Sequence, residues 1–146
     1  MLKHLFEKTS IPNRVVILGS AGFVGTACHR RLNTLGVPVL PMPRTELDLT
    51  APEAGDILAH LLRPEDSLLF VSAKAPVKTE SMLIDNLQMA SAVSHALKKS
   101  PVQHLVYISS DALYADSDNP LNENSFAQPD SLHGVMHLAR EVILTN

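Results

Sequence analysis

Two histidines, His133 and His137, stand four residues apart in SLHGVMHLAR, and Glu141 extends the same row. On a helix this spacing puts the side chains on one face, about 40° apart. Imidazole titrates near ~6.5, so such a pair can move protons at neutral pH. With a carboxylate it can also ligate zinc, but no further His or Cys lies nearby in sequence and the H-E-x-x-H signature is missing, so no metal is expected. A second cluster is GSAGFVG, where Gly19, Gly22 and Gly25 recur every third residue. Glycines so placed between a strand and a helix permit a tight turn, backbone approach to a pyrophosphate and close helix–strand packing. The helix N-terminus then supplies N–H donors and the positive end of its dipole. The alternative is three glycines that only make a turn, which is the usual reading of a lone triplet; the strand–loop–helix context at the first βα turn favours dinucleotide binding.

These residues need a framework to hold them. RVVILG (14–19) is an apolar, β-branched run ending at glycine, which predicts a strand buried on both faces. Val24, Cys28, Leu32 and Leu35 then recur at helical spacing with Ala27 beside them, and Gly36 supplies a stop. VPVL (37–40) predicts a second strand ending near residue 41, and ELDLT (46–50) a brief third. Thr50 and Glu53 have the spacing of a capping box, ahead of a stripe of Ala54, Ile57, Leu58, Leu61 and Leu62. SLLFVSA (67–73) predicts another buried strand. A helix over about 80–99 follows, with Leu83, Ile84, Leu87, Ala90 and Leu97 inward, and then a strand at HLVYISS (104–110). The Asn-, Asp- and Pro-rich stretch from Asp111 to Asp130 reads as a long surface loop, and loops of that length tend to be functional. Leu132, Val135, Met136, Ala139, Val142 and Ile143 form the last stripe, which leaves His133 and His137 beside it and not fully buried. Alternating strands and helices imply parallel pairing through right-handed crossovers, hence one α/β domain over 1–146: a doubly wound, Rossmann-like, mostly parallel sheet of about five strands.

With these elements in place, GSAGFVG resembles the G-x-x-G-x-x-G loop of the extended short-chain dehydrogenase/reductases, the NAD(P)-dependent epimerase/dehydratase family acting mainly on nucleotide sugars. The resemblance continues in order along nearly the whole chain. ELDL matches the segment that holds the adenine, through Asp48 and Leu49. VSA matches the small residues against the cofactor, Ser72 and Ala73, and Asn86 the asparagine of the next helix. ISSDALYAD is similar to S-S-x-x-V-Y-G, which implies an active-site hydroxyl on Ser110. SLHGVMHLARE is similar to S-x-Y-G-x-x-K-x-x-A-E, the helix with the family's Tyr and Lys. The resemblance thus implies a dinucleotide held by Gly19, Ser20, Ala21, Gly22, Phe23, Val24 and Gly25, with Ser110, His133 and His137 at the catalytic positions.

The departures limit what carries over. Tyr and Lys are replaced by His133 and His137, so proton transfer is expected to be impaired or lost. Ala112 stands where sugar dehydratases have the Glu that serves as base, which leaves reduction or epimerisation. Family members also continue past the region corresponding to Asn146 into a sugar-binding part, so a fragment is expected, self-associating through an uncovered strand edge or completed by a missing C-terminal region. The alternative is a non-catalytic dinucleotide-binding sensor or partner module. Arg44, near the end of the second strand, could pair a ribose 2′-phosphate with no carboxylate to oppose it, which favours NADP slightly over NAD.

Composition excludes other classes. A formal charge of −3 without a Lys/Arg cluster gives no footprint for nucleic acid. MLKHLFEKTS is broken by charges and has no signal-peptide core, and no apolar run approaches a membrane span. A single cysteine, Cys28, points to a reducing compartment, so a cytoplasmic protein is expected.

Overall fold

Residues Arg14–Leu18 form β1, and Val15–Leu18 are buried because both faces of the strand are covered. Val16 and Leu18 point into the larger core, while Val15 and Ile17 point into a smaller one on the opposite face. The computed structural model describes residues 10–146, so the charge-broken start of the chain lies outside the described residues apart from Ser10. After β1 come α1 (Phe23–Thr34), β2 (Val39–Met42), α2 (Ala54–Leu61), β3 (Asp66–Phe70), α3 (Glu80–Lys99), β4 (His104–Tyr107) and α4 (Leu132–Thr145). A single 3-10 turn, Asp111–Leu113, precedes the long loop. The sheet is parallel throughout, in the order β2-β1-β3-β4. Helix α1 covers the smaller core through Cys28 and Leu32, and α2, α3 and α4 cover the larger one.

Because the chain starts in the middle, runs to β2 and then crosses back to β3, the strand order reverses between β1 and β3. In an open α/β sheet the crevice beyond the carboxyl ends of such a pair is where ligands bind. The opposite end of these strands is closed by an ion pair. Arg14 Nε donates to Asp66 Oδ1 at 2.8 Å and Nη2 to Oδ2 at 2.6 Å, with Asp66 fully buried.

Several expectations are corrected. The sheet has four strands among the described residues, and 46–50 is not one of them. Asp48 Oδ1 accepts from both the amide (3.0 Å) and the hydroxyl (2.7 Å) of Thr50, which bends the chain into a turn with Leu47 and Leu49 both buried. That same bond takes the Thr50 hydroxyl away from any capping box, and α2 begins at Ala54 without a side-chain cap. Strand β2 continues through Pro41 to Met42. Val15 and Gly19 donate to the carbonyls of Pro38 and Met42, so the even-numbered residues of β2 face β1. The Pro41 nitrogen therefore lies on the open edge, where no donor is required. In α3 the inward face is centred on Asn86, Met89, Val93 and Ala96, and Ile84 is exposed. In α1, Val24 and Leu35 are exposed, while Gly36, at φ +71°, does end the helix. Helix α4 shows the largest rotation. Leu132, Val135 and Val142 face outward, whereas Met136, His137 and Arg140 are buried.

Candidate functional site

At the carboxyl ends of β1 and β3 lies a cavity of about 500 Å³, roughed out by two loops that touch. Gly19 has φ +88°, and a Cβ added there would meet the Ser72 amide nitrogen at 2.8 Å, so the turn after β1 lies directly against the segment after β3. A Cβ on Gly25 would meet the Gly19 carbonyl oxygen at 2.2 Å, which is how closely α1 packs on the turn it leaves. Gly22 differs from both. Its added Cβ would find only the Gly19 oxygen, at an ordinary 3.4 Å, so the space in front of it is open. It is the N-cap of α1, no side chain caps the helix, and no acidic residue occupies the first turn. The free amides of a helix N-terminus, with their positive dipole end, thus open into the cavity.

Most residues expected to bind a dinucleotide line this space. Gly19, Ala21, Gly22, Phe23 and Val24 come from the glycine loop, Arg44, Asp48 and Leu49 from the segment after β2, and Ser72 and Ala73 from the segment after β3. Three do not. Ser20 is buried, and its carbonyl accepts from the Thr26 hydroxyl at 3.1 Å. Gly25 serves the packing just described. Asn86 is fully buried behind the wall and saturated there. Its Oδ1 accepts from the Lys74 amide (3.1 Å) and from Arg140 Nη1 (3.3 Å), and its Nδ2 donates to the carbonyls of Lys74 (3.0 Å) and Met82 (2.8 Å). Asn86 therefore fixes the course of the chain past Ser72. Sequence reasoning missed Leu47, Val71, Lys74, Ala75 and Met89, which also line the cavity. Lys74, paired with Asp85, directly follows the Ser72–Ala73 pair and was readable from that adjacency.

Arg44 is not free of carboxylates. Its Nε and Nη2 donate to Asp48 Oδ2 at 3.1 and 3.0 Å. The Thr50 hydroxyl and amide, and then Arg44, hold Asp48 down at a pKa of about 2. Both partners are well exposed, so the pair contributes about 0–1 kcal/mol and can open.

The three catalytic candidates are brought together only in part. The rings of His133 and His137 meet edge-to-face with centroids 4.7 Å apart. His137 is buried, contrary to expectation, because α4 turns its polar side toward β4 and α3. Tyr107, on β4, is held protonated, its pKa pushed up to about 12 chiefly by burial. Its hydroxyl is hydrogen-bonded to His137 Nδ1 at 2.7 Å. Burial, followed by the neighbouring His133 and Arg140, pushes the His137 pKa down to about 4, so the imidazole is neutral. His133 is half-buried, and the Val77 N–H lies 3.5 Å from its Nδ1. Ser110 bonds to neither ring. Its hydroxyl donates to Asp111 at 3.1 Å and accepts from the Ala112 amide at 3.2 Å, beside a separate cavity of about 360 Å³ that Glu141 also lines.

Comparison with known proteins agrees with this geometry. A family model, the NAD dependent epimerase/dehydratase family, matches residues 15–146. No curated protein matches the chain. Among solved structures, dTDP-4-dehydrorhamnose reductase from Bacillus anthracis in complex with NADP is 22% identical over 90-odd per cent of this chain (94%) and 51% of that one, with a TM-score of 0.80. UDP-N-acetylglucosamine 4-epimerase from Bacillus cereus is 22% identical over 90% of this chain and 49% of that one, with a TM-score of 0.78. MoeE5 in complex with UDP-glucose and NAD is 23% identical over 90% and 48%, with a TM-score of 0.77. At these identities the likeness shows the fold, and the chain spans about half the length of the structures it matches. Among the described residues no helix is long and apolar enough to cross a membrane.

Proposed function

The chain belongs to the NAD dependent epimerase/dehydratase family, and on that premise we propose that it binds a nicotinamide dinucleotide at the β1–β3 switch point while carrying an impaired proton-transfer pair. The observation that carries the reading is the open space before Gly22, into which the uncapped α1 amides face. A pyrophosphate needs those amides and that missing side chain. Leu49 and Asp48 would flank the adenine, and Ser72 and Ala73 the opposite end of the cofactor, which when bound supplies the hydride donor or acceptor. Since Gly22 has room for a side chain in the protein alone, Gly22→Val is expected to fold normally yet lose dinucleotide affinity by roughly tenfold or more, as hydrogen bonds to a charged group are forfeited. Calorimetry with NAD and NADP checks this, and unchanged affinity in a folded variant removes the reading.

The cofactor preference belongs to the same proposal. A 2′-phosphate would draw Arg44 from Asp48, exchanging an exposed ion pair for a charge-assisted contact with a dianion. Arg44→Ala is therefore expected to weaken NADP roughly ten- to a hundredfold and NAD hardly at all. Equal changes for both cofactors in the same titration would make Arg44 a bystander.

The substrate class proposed is a nucleotide sugar undergoing reduction or epimerisation, since Ala112 offers no base for water loss. One observation favours a second reading, a dinucleotide-binding module without turnover. His137 is neutral and already engaged by Tyr107, so the position that would carry a fixed charge carries none.

A further inference from the structure

Arg140 is the largest fully buried side chain among the described residues, and no carboxylate there lies within ion-pair distance of it. A guanidinium without a counter-ion is a costly thing to bury, so the way it is held is informative. Its Cζ lies 4.2 Å from the centre of the Phe70 ring and 5.0 Å from that of Tyr107. Nη2 donates to the Ser72 carbonyl at 2.8 Å and Nη1 to Asn86 Oδ1 at 3.3 Å, while Nε is buried without a partner among the described residues. The charge is thus fixed between two aromatic faces, tied to the wall of the dinucleotide cavity on one side and lying against the Tyr107–His137 pair on the other.

We propose that Arg140 is the positioning residue of the 133–141 segment: held by the Ser72 carbonyl and Asn86, its guanidinium fixes the Tyr107 ring so that the hydroxyl donates to His137 Nδ1. The inference rests on reading residues 131–141 as the proton-transfer segment, and it gives His137 a definite role. With Nδ1 occupied, His137 can offer only its Nε2–H, as a donor, and it is not the base of the pair. The charged and titratable groups around the ring are few: Tyr107 from β4, and His133, Arg140 and Glu141 from α4 itself, with neutral Asn86 reaching Arg140 from α3. The chain thus retains a fixed cation in this segment, moved three residues along the helix and buried.

The test is a pH titration of the imidazole nitrogens by NMR in the protein without cofactor, so it reads out whether or not a dinucleotide binds. In the natural chain His137 is expected to show Nε2–H and bare Nδ1 and to protonate only near pH 4. Arg140→Met keeps the volume and the burial but releases the Tyr107 ring, and should abolish the Nε2–H preference, with only a small rise in the midpoint because burial and His133 still act. Arg140→Lys, which keeps a cation, should leave the preference in place. An unchanged Nε2–H preference in Arg140→Met would leave the ring held by burial and its other neighbours and overturn the proposal. So would a natural His137 that carries its hydrogen on Nδ1 or protonates near the ordinary histidine value, and this arm stands even if Arg140→Met does not fold. Tyr107→Phe is a further arm: loss of the Nε2–H preference there supports the proposal, and its persistence overturns it.

Discussion

Arg14→Ala is expected to cost about 3–5 kcal/mol of folding stability, although Arg14 lies far from every catalytic candidate. The cost comes from its partner. Asp66 is fully buried at the start of β3 and receives both Arg14 nitrogens, at 2.8 and 2.6 Å, together with the Arg63 amide at 2.8 Å. Removing the guanidinium leaves a buried carboxylate with one amide for company, and frees the Leu61 carbonyl that Arg14 also satisfies at 3.0 Å. The pair holds β1, β3 and the end of α2 at the amino edge of the sheet, while the cavity opens at the carboxyl edge of the same strands. Urea unfolding should therefore show a lower midpoint, while dinucleotide affinity per folded molecule stays unchanged. Adding Asp66→Asn to Arg14→Ala should restore part of the loss, because the buried charge is then gone. A single-variant loss below about 1 kcal/mol would mark the pair as no stronger than a surface ion pair.

Where burial follows hydrophobicity, the sequence is easily read. Strands β1 and β3 are apolar on both faces, and the glycine spacing places the turn between β1 and α1 without ambiguity. The segment 46–50 misleads because Leu-Asp-Leu alternates as a strand does. A carboxylate that caps its own turn through Thr50 produces the same alternation by burying both leucines around a bend. Helix α4 misleads for a different reason. Its apolar stripe is real, yet Leu132, Val135 and Val142 face outward, because Phe70, Tyr107, the Ser72 carbonyl and Asn86 together make a better seat for Arg140. Cation–π contact and hydrogen bonding at matched positions on three elements leave no periodicity to detect. Tyr107 was missed as a partner of His137 for the same reason: the two are 30 residues apart and meet only in the packed fold. Arg44 and Asp48 were each singled out, but their i,i+4 spacing in a turn was not read as contact.

Hydride transfer to or from nucleotide sugars by the natural chain is expected to be about 10²–10⁴-fold below that of the same chain with a working proton-transfer pair. The family pattern supplies a phenol at 133, an ammonium at 137 and a small residue at 140, where this chain has His133, His137 and Arg140. His133→Tyr alone restores the phenol with no charge at 137 to tune it. His133→Tyr with His137→Lys is expected to fare little better, and this follows from the fold. The new ammonium would enter a buried position beside a guanidinium that already lacks a counter-ion, and two like charges there disfavour both the fold and the charged lysine. Only the triple variant, with Arg140→Ala as well, vacates the second cation and returns the charge to 137. Nicotinamide absorbance with nucleotide-sugar substrates measures all four proteins, and calorimetric NADP binding confirms that each is folded and loaded. A gain confined to the triple variant is the expected result. Equal activity in the double and triple variants would show that Arg140 does not compete with a lysine at 137. Brisk hydride transfer by the natural chain, abolished by His133→Ala, would overturn the premise and make His133 a working acid–base catalyst.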